Sequence, residues 1–170
     1  MMINKARKYA EAAHSSIDQR RKYTNDPYIV HPAAVAKLVS TVTDNVEMIC
    51  AALLHDVVED TTVTLDQIRS EFGDIVAQLV SELTDVSVLA DGNRKIRKAI
   101  DREHTRQASP EAKTIKLADL IDNARSITQH DRGFARVFME EKRLLLDVLQ
   151  EGDQSLYIMA EELVRSYYND

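Results

Sequence analysis

Residues 49–60 read ICAALLHDVVED, and the mixture of residue types in that stretch decides the fold. From Val46 to Val58 nearly every residue is apolar, so a helix here buries most of its surface. The same helix carries His55, Asp56, Glu59 and Asp60. At about 100° per residue, His55 and Glu59 lie one turn apart, Asp56 and Asp60 do the same, and all four share one sector. A carboxylate left uncompensated there is strongly destabilising or takes up a proton. A divalent cation beside a water-filled cleft removes the conflict, because it supplies the positive charge the acids lack.

The rest of the composition suits such a helix. The 170 residues are enough for a single domain, 1–170, with a real core. Hydrophobic residues at 44% and charged residues at 29% are the balance of a soluble globular protein. Four Gly, three Pro and no Trp provide little turn punctuation for a protein of many short strands, so an all-α fold is expected. A net charge of −6 argues against nucleic acid as a partner, since affinity for a phosphate backbone comes from neutralising it with Lys and Arg. A small phosphorylated ligand needs only a local positive pocket. No apolar run is long enough to cross a bilayer and the N-terminus has no signal-peptide core, so neither a membrane nor secretion is expected. The single Cys50 cannot pair within the chain, which agrees with a reducing cytoplasm.

Helical spacing recurs along the chain. Ile3, Ala6, Ala10, Ala13 and Ile17 predict a first helix, followed by a polar loop. Pro27 and Pro32 bracket PYIVHP and put His31 at the mouth of a helix running to about Val42. Asp44 or Asn45 caps the buried helix, which is expected to run unbroken to Glu59 or Asp60. Thr64 and Gln67 form a capping box ahead of a helix that Gly73 ends, and Ile75, Val76, Leu79, Val80 and Leu83 line the next. A further helix starts at Ser109 with Pro110 in its first turn, and two more cover about 134–150 and 154–168. The apolar residues of the last helix, among them Leu156, Ile158 and Leu163, serve a core or a second copy of the chain equally well, so homo-oligomerisation is left open. No strand is expected.

Three segments, RRKYTNDPYIVHP at 20–32, ALLHDVVEDT at 52–61 and KLADLIDNAR at 116–125, resemble in order and spacing the hydrolase domain of the RelA/SpoT family. That domain is an HD-type metal phosphohydrolase, and the likeness is strongest to the small stand-alone alarmone hydrolases. It covers nearly the whole chain. The resemblance implies an HD-domain helical bundle with Mn²⁺ held by His31, His55, Asp56 and Asp119. Glu59 is expected to orient water or accept its proton, with Asp60 assisting orientation or the developing charge.

The same resemblance implies substrate contacts. Arg21 and Lys22 match a pair that packs on the guanine base and approaches phosphate, for which a planar guanidinium is suited. Asn123 matches a contact to the nucleotide sugar or base, and Ser126 or Ile127 lines the same wall. Between Arg94 and Lys116 there are eight Lys or Arg against three acids, the best candidates for drawing in the distal phosphates, with Lys142 and Arg143 as further ones. His14, His104 and His130 lie in polar contexts and receive no role.

The expected activity is Mn²⁺-dependent hydrolysis of the 3′-pyrophosphate of (p)ppGpp to GDP or GTP and pyrophosphate. A competing reading keeps the site and changes the substrate to (p)ppApp or to the 2′-phosphate of NADPH. A third is a non-catalytic alarmone-binding module, whose mark would be loss of a metal ligand or of the acidic pair. Neither is lost.

Overall fold

A computed structural model of the chain describes residues 1–169. They form two compact units, Met1–Thr84 and the residues from Asp85 onward. Among the described residues the regular elements are helical, and the only β pairing is an isolated antiparallel bridge between Arg20 and Pro27.

The first unit is built around one helix with no polar face. It comprises α1 (Met2–Ser15), α2 (Val30–Val39), α3 (Val46–Leu54), α4 (Val57–Asp60), α5 (Leu65–Phe72) and α6 (Asp74–Leu83). Every residue of α3 from Met48 to Leu54 is buried, so the helix must sit at the centre, and α1, α2 and α6 all pack on it. Small residues allow the approach on one side. Ala6, Ala10 and Ala13 form the buried face of α1 at spacings of four and three. Asn45 starts α3 by accepting the Met48 N–H at 3.0 Å. Thr64 and Gln67 make the expected capping box at the start of α5. Gly73, at φ +89°, ends that helix in a conformation L side chains rarely adopt.

One expectation fails here. The buried helix does not run to Asp60: it stops at Leu54, turns through His55 and Asp56, and resumes as the single turn α4. The His55 ring Nδ1 lies 2.8 Å from the Ala52 carbonyl, the acceptor that a continuous helix would offer to the Asp56 N–H. A side chain competing for a main-chain acceptor interrupts the ladder. The four charged residues therefore do not share one sector of one helix.

The second unit has a 3₁₀ turn (Leu89–Asp91), α7 (Arg94–Arg106), α8 (Pro110–His130), α9 (Arg132–Leu146) and α10 (Gln154–Asn169). Ser109 caps α8 by accepting the Ala112 N–H, with Pro110 at the first helical position as expected. α9 and α10 both pack on α8, burying Ile115, Leu117, Leu120 and Ile121 with Met139, Leu149 and Leu156. Gly152 turns the chain into α10, and a Cβ there would lie 2.8 Å from Leu117 Cδ1. It would also lie 3.1 Å from main-chain atoms of Lys113 and Thr114, so a larger residue must push α8 or the Leu117 side chain aside.

Candidate metal centre

Three of the expected ligands converge within the first unit. His31 enters from the first turn of α2, and His55 and Asp56 come from the break between α3 and α4. One ligand atom from each lies within 4.8 Å of the others. Asp56 Oδ2 is 3.2 Å from His55 Nε2 and 3.6 Å from His31 Nε2, with both imidazoles buried and Asp56 half-buried. The helix break thus has a chemical result: it turns two adjacent side chains toward the third.

The hydrogen bonds around these groups fit a cation. A carbonyl can only accept, so His55 Nδ1 must donate to Ala52, and a neutral ring then carries its lone pair on Nε2. In that neutral form the lone pair would face the Asp56 carboxylate at 3.2 Å, acceptor against acceptor. A positive ion among the three reverses the sign of the interaction. A ligand histidine typically gives its other N–H to a carbonyl in this way, which fixes tautomer and ring orientation. Tyr28 completes the frame by donating its hydroxyl to Asp56 Oδ2 at 2.7 Å. Two imidazole nitrogens and a carboxylate oxygen suit a first-row divalent metal.

Glu59 and Asp60 lie on α4 directly after the ligand pair and are both exposed. Asp60 Oδ2 accepts from Gln19 Nε2 at 2.8 Å. Partial desolvation of its carboxyl raises the Asp60 pKa above the usual value, and the bond from Gln19 works against that rise. Arg21 and Lys22 stand on the loop that the Arg20–Pro27 bridge closes, tightened by Arg21 N–H to Asp26 O at 2.9 Å and Asn25 N–H to Arg21 O at 3.0 Å. Arg21 is half-buried, while Lys22 is exposed with its ammonium 4.9 Å from the Tyr23 ring centre.

The remaining candidates belong to the second unit. Asp119 is buried on α8, accepts from Asn123 Nδ2 at 2.6 Å and lies 3.9 Å from the Lys116 ammonium. Asn123 therefore braces Asp119, a role its spacing of one helical turn allowed but that was not assigned to it. Ser126 is half-buried one turn further, its carbonyl facing His130 Nδ1 at 2.8 Å.

Much of the basic segment is paired within the protein. Arg94 grips Glu141 with two bonds of 2.7 and 2.9 Å, Lys98 meets Asp85 at 2.6 Å, Arg106 meets Glu103 at 3.0 Å, and Lys113 is paired with Glu151. Arg143 is likewise engaged with Glu140 at 2.9 Å. Lys98, Arg102, Lys116 and Lys142 line one cleft together with Asp85 and Asp101. Burial acts to raise the Asp85 pKa, but Lys116 and Lys98 outweigh it and hold the carboxyl below its usual range.

Three residues were missed from the sequence. Tyr28 sat in plain view inside PYIVHP, where a hydroxyl three residues before a ligand histidine is a signal. Gln19 gave none, being a polar letter in a polar stretch, whereas His14 continues the Ala6–Ala10 spacing of the first helix, a signal of burial. His14 is in fact buried, 1% exposed, with Nδ1 2.7 Å from Gln19 Oε1.

The HD domain family profile matches residues 6–143. The chain is 43% identical over 122 residues to the guanosine-3′,5′-bis(diphosphate) 3′-pyrophosphohydrolase MESH1 of Mus musculus, covering 69% of this chain and 66% of that protein. It thus spans just under two thirds of that relative's length. Against the Xenopus tropicalis MESH1 it is 39% identical over 130 residues, 74% of this chain and 69% of the relative. A solved structure of a metazoan orthologue of SpoT, described as hydrolysing ppGpp, superposes with a TM-score of 0.87 at 30% identity, covering 98% of this chain and 95% of that one. By family profile, by sequence relatives and by backbone superposition, the chain belongs to the HD-domain family, in the RelA/SpoT-type group that includes the metazoan SpoT homologues.

Proposed function

We propose that this protein is a guanosine-3′,5′-bis(diphosphate) 3′-pyrophosphohydrolase, converting ppGpp to GDP and pyrophosphate with Mn²⁺ as cofactor, and pppGpp to GTP in the same way. The observation that carries this reading is the cluster of His31, His55 and Asp56, with His55 Nδ1 held by the Ala52 carbonyl so that Nε2 faces the carboxylate. Relatives named for that reaction support the substrate. Asp119 is proposed as a further ligand on the strength of KLADLIDNAR. The profile match runs through both compact units, which favours reading residues 1–170 as one HD domain.

His31, His55, Asp56 and Asp119 would hold a divalent cation, which would supply a lowered pKa for a water and offset charge on the phosphoryl oxygens. The chain's own groups do the rest. Tyr28 holds Asp56 in its ligating orientation. Glu59 accepts the proton of the attacking water, and Asp60, held by Gln19, orients it. The water oxygen bonds to the phosphorus carried on the ribose 3′ oxygen as the bond from that phosphorus to the 3′ oxygen breaks, and the leaving oxygen takes up a proton from solvent to become the 3′ hydroxyl. Arg21 and Lys22, on their braced loop, take the base and a phosphate, and Asn123 and Ser126 complete the nucleotide contacts.

The test is purified protein with Mn²⁺ and ppGpp, with products separated by ion exchange. Equal amounts of GDP and pyrophosphate are expected. Inorganic phosphate as the product, or no turnover, defeats the proposal. Parallel kcat/KM values for pppApp and NADPH fix the substrate, since specificity is the ratio of these quantities.

A further inference from the structure

We propose that His14 and Gln19 are positioning residues that lock Asp60 in one orientation beside the metal-binding triad; the proposal rests on the role given to Asp60 above. The three groups form a directed chain, His14 Nδ1 to Gln19 Oε1 at 2.7 Å and Gln19 Nε2 to Asp60 Oδ2 at 2.8 Å. An ionised carboxylate only accepts, so Gln19 must present its NH₂ to Asp60 and its carbonyl to His14. His14 must then carry a proton on Nδ1. Reversing the amide would set two acceptors against each other at Asp60, so the buried imidazole decides which way the glutamine points.

Two further observations separate this from a histidine that merely fills space. Among the described residues His14 Nε2 is buried without a protein hydrogen-bond partner, a cost that Leu or Phe would avoid in a purely apolar role. The cost is understandable where the other ring nitrogen is needed as a donor. The main chain is also arranged for the contact. Asp18, at φ +49°, turns the chain after α1 so that the Gln19 N–H bonds back to the His14 carbonyl at 3.0 Å, and the Gln19 carbonyl accepts from Tyr28 N–H at 3.3 Å. The rings of His14 and Tyr28 pack with centres 4.7 Å apart, and Tyr28 is the residue that holds Asp56. One buried imidazole thus supports a carboxylate on each end of α4: Asp60 through Gln19, and Asp56 through Tyr28.

The full chain with Mn²⁺ and ppGpp provides the kinetic arm. Gln19→Leu lowers kcat by about 10- to 100-fold with little change in KM, the usual size of an effect on an orienting partner. In an Asp60→Asn background the same substitution has almost no further effect, because residues acting as a unit are not additive. An unchanged kcat, or equal losses in both backgrounds, overturns the proposal. Imidazole nitrogen NMR on the full chain provides an arm independent of turnover. His14 reads as protonated on Nδ1, and Asp60→Asn shifts its Nδ1 signal more than those of His104 or His130. An Nε2–H tautomer or an unmoved signal overturns the proposal even in an active enzyme. If the unmutated chain fails to turn over ppGpp, the proposed function falls while the NMR result alone decides the positioning claim. His14→Phe should repeat the kinetic loss; Gln19→Leu, at a half-buried site, keeps the test available should that variant not fold.

Discussion

His55 Nδ1 and the Ala52 carbonyl oxygen lie 2.8 Å apart, and this one bond both ends a buried helix and sets the face that His55 turns to Asp56. His55→Ala should therefore weaken Mn²⁺ binding beyond the roughly 10- to 100-fold that loss of an orienting partner costs. Isothermal titration with Mn²⁺, alongside circular dichroism to confirm retained helix, measures this. Affinity close to that of the unmutated chain would remove His55 from the ligand set.

Tyr28→Phe deletes a single oxygen, the donor to Asp56 Oδ2 at 2.7 Å. Mn²⁺ affinity should fall about tenfold, the lower end of the range for such partners. The melting temperature of the metal-free protein should change little, which separates orientation of the ligand from general packing.

Glu59→Gln keeps size and hydrogen-bonding capacity while removing the carboxylate, which tests the proposed role of Glu59 as proton acceptor. The expected loss in kcat is about 10²- to 10⁴-fold, the usual contribution of a positioned base. Titration with ppGpp should give an unchanged dissociation constant. Loss of binding in step with turnover would show that Glu59 shapes the site instead.

Lys142 tests the basic cleft through stability. Burial pulls its pKa down from 10.5 to about 8; Asp119 resists that, and Lys116 and Lys98 add to it. The folded state thus prefers the neutral amine, so the cost of keeping the charge is full below about pH 8 and disappears as pH rises toward 10.5, the unfolded chain binding more protons in between. Lys142→Met should raise the melting temperature at pH 7, by an amount that shrinks steadily from pH 8 to pH 10. A pH-independent difference would mean that packing against Phe138, 4.7 Å from the ammonium, dominates instead.

Local signals in the sequence located most of the framework. The Thr64–Gln67 capping box, the Asn45 cap and the Ser109–Pro110 helix start depend on neighbours within four positions, and each is present. His55 and Asp56 stood out as charged letters in apolar surroundings, whereas His31 was indicated only by the resemblance of RRKYTNDPYIVHP to the family's segment. The break at His55 was not, since hydrophobic periodicity is blind to a ring that takes a carbonyl from its own helix. The burial of His14 was only half visible: it continues the Ala6–Ala10 spacing of the buried face of α1, but its enclosure depends on Gln19 and Tyr28 folding back over the end of that helix. The basic run from Arg94 read as a phosphate attractor, yet Arg94, Lys98, Arg106 and Lys113 find acids inside the protein, two of them 38 and 47 residues away in sequence.

Cys50, the chain's single thiol, is wholly enclosed in α3, and burial pushes its pKa up to about 11. An alkylating reagent near neutral pH meets almost no thiolate and no path to it while that helix stays covered. Labelling kinetics at this one sulfur would therefore act as a clock for opening of the first unit. Metal loading at His31, His55 and Asp56 should slow that clock, because an ion bound only by the closed form lowers the population of the open one.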